Sequence, residues 1–257
     1  MTRIDSYEDL TDNIVDWLKD YYYENNVKAF VVGVSGGIDS AVVSSLCART
    51  GLPTYVVCMP LESKFENSRL SDVHSKALVE KYDNVKRIEI ELFSAYDSLL
   101  KSIEWWSEAQ SFDKKEFTSS DHANANTKSR MRMITLYQIA GSVGGIVVGT
   151  GNKVEDYGVG FYTKYGDGGV DIAPIADLYK TEVWELGEYL EVDQRIVDAT
   201  PTDGLWDDSR SDEAQLGASY EQLEEAMETG SGPGVEVLNK FNTLNKHKME
   251  PIPTFKL

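Results

Sequence analysis

The apolar run Ala29-Phe30-Val31-Val32 passes directly into Gly33-Val34-Ser35-Gly36-Gly37-Ile38-Asp39-Ser40, and a second apolar stretch, Ala41 to Leu46, follows at once. Two buried segments joined through adjacent glycines read as strand, turn and helix. Glycine lets the backbone approach a ligand closely, and the first amides of the helix point outward without intrahelical acceptors, which favours an anion. Gly33 to Ser40 is therefore a candidate phosphate loop. Two familiar alternatives fail. The Walker A pattern needs Lys where Asp39 stands, and a carboxylate beside phosphate calls for an intervening cation, so Asp39 points to magnesium. The dinucleotide fingerprint fails because Ser35 and Ile38 stand where its second and third glycines belong.

The alternation continues along the chain. Leu10, Ile14, Val15 and Leu18 recur at helical spacing and predict a helix over Tyr7 to Tyr23. Strands are expected at Ala29–Val32, Thr54–Met59, Val85–Ile90 and Gly145–Gly149. Helices are expected at Ile38–Arg49, Ser68–Tyr82, Ala95–Trp106, Ser129–Val143, Asp177–Leu190 and Tyr220–Met227. This predicts an α/β class, with a doubly wound, mostly parallel sheet covered by helices on both faces, in one domain over residues 1–257. Ser107 to Thr127 lacks periodicity and reads as a long loop, a candidate lid. Gly151 to Asp171 and the acidic stretch from Thr202 read as irregular.

Composition narrows the partners. A formal charge of -18 repels nucleic acid and anionic lipid, so neither is expected as a partner. The acidic surplus is spread over the whole chain and reads as a solvated surface suited to a salty cytoplasm. No apolar run is long enough to cross a bilayer and no cationic leader opens the sequence, so a cytoplasmic location is expected. Cys47 and Cys58 lack the spacing of a zinc or redox pair and read as buried thiols. His74, His122 and His247 do not have a metal-ligand spacing.

The octet Gly-x-Ser-Gly-Gly-x-Asp-Ser resembles the pyrophosphate loop of the N-type ATP pyrophosphatases. That resemblance implies an adenine nucleotide alpha hydrolase-like, Rossmann-like fold, and ATP split between its α and β phosphates to adenylylate a substrate oxygen. It does not choose among amide ligases, GMP synthetases, argininosuccinate synthetases and tRNA-modifying enzymes. Four later stretches do: "NTKSRMRMITLYQIA", "VVGTGNKVEDYGVGFYTKYGDGGVDIAPIADLYKTEV", "PTDGLWDDSRSDEAQLGASYEQLEEAM" and "NKHKMEPIP" occur in this order. Together they look like NAD synthetase over nearly the whole chain. That family adenylylates the nicotinate carboxylate of deamido-NAD and lets ammonia displace AMP.

The resemblance implies roles residue by residue. Asp39 and Glu155 match magnesium carboxylates, which as hard oxygen ligands suit that ion. Gly33, Val34, Ser35, Gly36, Gly37, Ile38, Asp39 and Ser40 match the loop that holds ATP's pyrophosphate, and Thr150, Lys180 and Thr202 match further ATP contacts. Arg130, Lys164, Asp171, His247 and Lys248 fall where the family binds deamido-NAD. Asp167 matches an acid that takes a proton from ammonium, as the chemistry requires, because ammonium has no lone pair to attack with. The catalytic set implied is thus Asp39, Glu155, Asp167 and Lys180, and the family implies a homodimer, with Met131 to Ile139 as a candidate face.

Departures from the family pattern exist. One extra residue lies between Glu155 and Lys164, which puts the lysine's register in question. "HKMEPIP" replaces a more basic start of that segment, and adenine-side contacts within 61–80 are unassigned. No amidotransferase segment is recognised, so free ammonia is the expected nitrogen donor. Rival readings are a tRNA thiolase, which calls for paired cysteines and a basic surface, and a nucleotide-binding sensor without chemistry.

Overall fold

A computed structural model describes residues 3–61, 66–202 and 211–256. β1 (Phe30–Gly33), β2 (Thr54–Cys58), β3 (Val85–Glu89) and β4 (Ile146–Val147) form a four-stranded parallel sheet in the order β3-β2-β1-β4. Val31 lies between Tyr55 of β2 and Val147 of β4. Ten helices are described: α1 (Tyr7–Glu24), α2 (Ile38–Arg49), α3 (Glu66–Lys81), α4 (Phe93–Ala109), α5 (Asp121–Val143), α6 (Lys180–Tyr189), α7 (Gln194–Val197), α8 (Asp212–Leu216), α9 (Tyr220–Thr229) and α10 (Val235–Met249).

β1 and β2 are almost wholly buried because both faces of the sheet are covered, whereas β3, at the edge, exposes Lys86 and Glu89. Alternation sends Phe30 and Val32 into a core with α1, α2 and α6, while Val31 and Val57 meet α4 and α5 on the opposite side. Val56 and Cys58 pack against Ala48 of α2 and Leu78 of α3, on the α2 side. The sheet is doubly wound, as the alternation predicts. Strand order runs outward through β2 and β3, then returns to β4 on the other side of β1. The switch of direction falls between β1 and β4, whose carboxyl ends are where α/β sheets place ligands.

Several expectations need correction. β4 is shorter than Gly145–Gly149: Val148 still donates its amide to the Val31 carbonyl but also bridges to Ile172, and the Gly149 amide donates to the Ile172 carbonyl. α5 begins at Asp121, where the Ser120 hydroxyl accepts from the Ala123 amide, so the irregular stretch is residues 110–120 and not 107–127. Within it Phe112 packs against Trp106 and Phe117, at ring separations of 5.9 and 5.7 Å. α6 begins at Lys180, after the Glu182 carboxylate has accepted from the Tyr179 amide at 2.8 Å. Of the acidic stretch after Thr202, residues 203–210 lie outside the described residues, as do 62–65 of the unassigned adenine-side segment.

Cys47 and Cys58 are free and buried. His74 is buried too, its Nε2 2.9 Å from the Ser44 hydroxyl, and burial lowers its pKa from 6.5 to about 4. The folded ring is neutral where the unfolded ring is charged, so the unfolded chain binds the extra proton and stability rises with pH across this window. Acidification from about pH 6.5 to pH 4 should remove of order 3 kcal/mol through this group. Urea melts across that range should show a shallower loss in His74→Gln than in the wild type; equal slopes would contradict the assignment.

Candidate active site

The loop after β1 is held by its own serines. Val34 donates its amide to the Val57 carbonyl, extending the β1–β2 ladder by one bond. The Ser40 hydroxyl then sits 2.9 Å from the Gly37 carbonyl, 3.0 Å from the Ser35 hydroxyl and 3.2 Å from the Ser35 amide. Ser35 Oγ accepts from the Gly37 amide. Gly36 adopts φ 96°, a conformation that favours glycine. This knot fixes the loop over the first turn of α2, whose outward amides suit phosphate oxygens.

Asp39, on that first turn, faces a carboxylate and a lysine from distant parts of the chain. The Lys180 ammonium donates to Asp39 Oδ2 at 2.6 Å and to Glu155 Oε1 at 3.0 Å. Its side chain is only 3% exposed, so it is not the solvated lysine that an ordinary helix start would suggest. Asn152, fully buried, donates to Asp39 Oδ1 at 3.0 Å and accepts from the Val154 and Glu155 amides. The Tyr220 hydroxyl donates to Glu155 Oε1 at 2.8 Å, with Asp212 Oδ2 at 3.3 Å. Burial works to raise Glu155, but Lys180, Asn152 and Tyr220 outweigh it and hold the carboxyl below its ordinary range. For Asp39 burial wins, and its pKa is raised.

Glu155 and Asp156 sit on a π-helical turn, Val154–Val159. An i→i+5 turn accommodates one residue more than an α turn. Asp156 folds back against Gly151, where a Cβ would stand 2.1 Å from Oδ2, so only glycine fits. Burial, followed by repulsion from Glu155, Asp167 and Asp39, pushes its pKa up to about 7. The crevice is thus strongly negative even with Lys180 in place.

Asp167 lies at the exposed mouth. Its Oδ1 accepts from the Ser129 hydroxyl at 2.6 Å and the Thr163 amide at 3.0 Å, and Ser129 Oγ accepts from the Asp167 amide in return. The residue is exposed as a whole, but its carboxyl turns inward onto Ser129 and Thr163, and burial of that group raises its pKa despite these donors. Next to it runs a basic seam. Arg130 Nε donates to the Lys164 carbonyl at 3.3 Å, Lys164 Nζ to the His247 carbonyl at 3.0 Å, and Lys248 Nζ to the carbonyls of Gly160 and Tyr162. Arg130, Lys164, His247 and Lys248 are therefore brought together. Asp171 is not part of that network: its oxygens accept from Tyr137 and the Val147 amide, tying α5 to β4. Thr150 follows β4 at the crevice, half-buried, and Thr202 is half-buried at the edge of the described residues.

The donor set fits a magnesium ion arriving with nucleotide. Asp39 and Glu155 offer hard carboxylate oxygens of the kind magnesium takes, and among the described residues no group of three His, Cys, Asp or Glu side chains converges. Sequence reasoning missed Asn152, Asp156, Tyr220 and Ser129. Tyr220 in particular carries no local signal, since it acts across 65 positions of sequence.

The description "NAD synthase" belongs to the family model that matches residues 10–253. The NH(3)-dependent NAD(+) synthetase of Alkaliphilus metalliredigens is 36% identical over 94% of this chain and 96% of its own. A Francisella tularensis NMN synthetase structure matches with TM-score 0.84 and 31% identity, covering 98% of this chain and 99% of that one. The NH3-dependent NAD synthetase of Campylobacter jejuni shares the fold, with TM-score 0.76 at 24% identity over 98% and 100% of the chains.

Tyr220→Phe keeps the buried ring against Trp184 and removes the hydroxyl that bonds Glu155 and, more weakly, Asp212. Urea unfolding should show a loss of about 1–3 kcal/mol, the usual cost of a buried bond to a charged group. An unchanged midpoint would show that the phenol does not hold the carboxylate.

Proposed function

The chain belongs to the NAD synthase family, and on that premise we propose that it amidates deamido-NAD with ammonia. ATP drives the reaction, and the products are NAD, AMP and pyrophosphate. The observation that carries the reading is the meeting of Asp39, Glu155 and Lys180 beneath a glycine loop at the switch point of the sheet. Residues 1–257 act as one catalytic domain.

The reaction has two displacements. A nicotinate carboxylate oxygen attacks the α-phosphorus of ATP and pyrophosphate leaves; ammonia then attacks the acyl carbon and AMP leaves. In the first, the Gly33–Ser40 loop, Thr150 and Thr202 hold ATP, and Lys180 balances charge gained by the leaving pyrophosphate. Magnesium, held by Asp39 and Glu155, would supply a Lewis acid for the phosphates. In the second, Asp167 takes a proton from ammonium; its raised pKa makes it a better base than an ordinary aspartate. The carboxylates around it also make the crevice attractive to that cation.

Arg130, Lys164, His247 and Lys248 line the seam for the anionic dinucleotide, and Asp171 supports it from behind through Tyr137. A homodimer fits the outer side of α5, where Ile134 is 60% exposed, although Met131, Leu136 and Ile139 pack inward. No helix among the described residues is long and apolar enough to cross a membrane, in keeping with a cytoplasmic enzyme. The spread acidic charge suits work at high salt.

A second reading takes nicotinate mononucleotide as the acceptor, favoured by the likeness to the Francisella tularensis NMN synthetase. The carboxylate chemistry is unchanged, and only the distal adenylate differs. Steady-state kinetics on both acceptors separate the two: kcat/KM should favour deamido-NAD, and a preference for the mononucleotide would select the second reading. Asp39→Asn should lower kcat by about a hundredfold or more, since its oxygen acts on developing charge. Arg130→Ala should instead raise the deamido-NAD KM about tenfold with little change in kcat. Wild-type values in both variants would defeat these roles.

A further inference from the structure

The two carboxylates assigned to the metal are already bridged by a cation of the chain itself. Lys180 Nζ lies 2.6 Å from Asp39 Oδ2 and 3.0 Å from Glu155 Oε1, and Tyr220's ring centroid lies 5.1 Å from it. Buried beneath the partly exposed pair, the ammonium has given up most of its water and depends on these two oxygens. A divalent ion cannot share the same oxygens with it, because two cations at that separation repel strongly in a desolvated site. Lys180 is nevertheless well placed to leave. It is the first residue of α6, and its four-carbon stem can swing the head group by side-chain torsions alone.

We propose that Lys180 is a resident counter-ion that exchanges with the metal. It bridges Asp39 and Glu155 until a magnesium–triphosphate complex arrives, then transfers to phosphate oxygens as the metal takes the carboxylates. The proposal rests on the reading of Asp39 and Glu155 as the metal pair. Its driving force is conservation of pairing. A free divalent ion brings no anion for the displaced ammonium and would leave a buried charge alone, which is strongly unfavourable. The metal–triphosphate complex brings a cation for the carboxylates and anions for the lysine in one step. Metal and nucleotide affinities are thereby coupled, each raising the other by the same factor.

The test is binding of manganese, a paramagnetic substitute for magnesium, to the full chain, read by electron paramagnetic resonance. Without nucleotide, Lys180→Gln should bind free manganese at least about tenfold more tightly than wild type, and adding Asp39→Asn to it should abolish the gain. Equal binding by wild type and a folded Lys180→Gln overturns the exchange. Should Lys180→Gln fail to fold, the wild type decides the matter through nuclear magnetic resonance of its 15N-labelled lysine ammonium groups. The buried signal should be unmoved by magnesium alone and shift when magnesium is added with α,β-methylene ATP; a shift with magnesium alone overturns the proposal. If manganese with that analogue binds wild type and Asp39→Asn equally well, the assignment of the metal pair fails, and the exchange with it.

Discussion

A lysine with almost no contact with water stands between two carboxylates, and the rest of the site is arranged around that fact. Removing one member of a buried ion pair typically costs about 3–5 kcal/mol, whereas the intact pair adds little net stability over apolar packing. Lys180, Asp39 and Glu155 therefore make sense as chemistry held in place by the fold. The sheet supplies the placement: Asp39 follows β1, Glu155 follows β4, and these strands are neighbours only because the order reverses between them. Asn152 joins the two sides by donating to Asp39 while accepting from the Glu155 amide.

The same crevice has a second centre at its mouth. Asp167 is oriented by Ser129 from α5, and the neighbouring loop is held by α10, whose Asn242, Asn245 and Lys248 donate to carbonyls between Gly158 and Tyr162. The phosphate loop is thus tied by its own serines over the buried Lys180, while the mouth is assembled from polar contacts between surface elements. Such contacts open more readily than a packed core, which suits the end where substrate must enter.

What the sequence made legible follows this division. α2 was readable to its boundaries, Ile38 to Arg49, since an apolar helix between glycine turns has few alternatives. β1 and β2 were readable from apolar runs buried on both faces, and β3 from a short stretch in which Val85 is buried and Lys86 and Glu89 are exposed. α10 was not: none of its residues is buried, so its periodicity is faint among lysines and asparagines. The π turn was not foreseen either. In the site, the loop and Asp39 carry their chemistry in local spacing. Lys180 does not, because its burial depends on partners 141 and 25 positions away. Tyr220 and Asn152 act through other side chains, and such roles leave no local pattern.

The proposed activation transfers AMP to an oxygen of the substrate carboxylate at this site. Deamido-NAD labelled with 18O in the nicotinate carboxylate, turned over with ATP and ammonium, tests it most directly. Cleavage of the adenylate by ammonia leaves one carboxylate oxygen on phosphorus, so AMP should carry one 18O per NAD formed, seen as an isotope shift in its 31P resonance. Unlabelled AMP, or label in inorganic phosphate with ADP as the nucleotide product, would contradict the account.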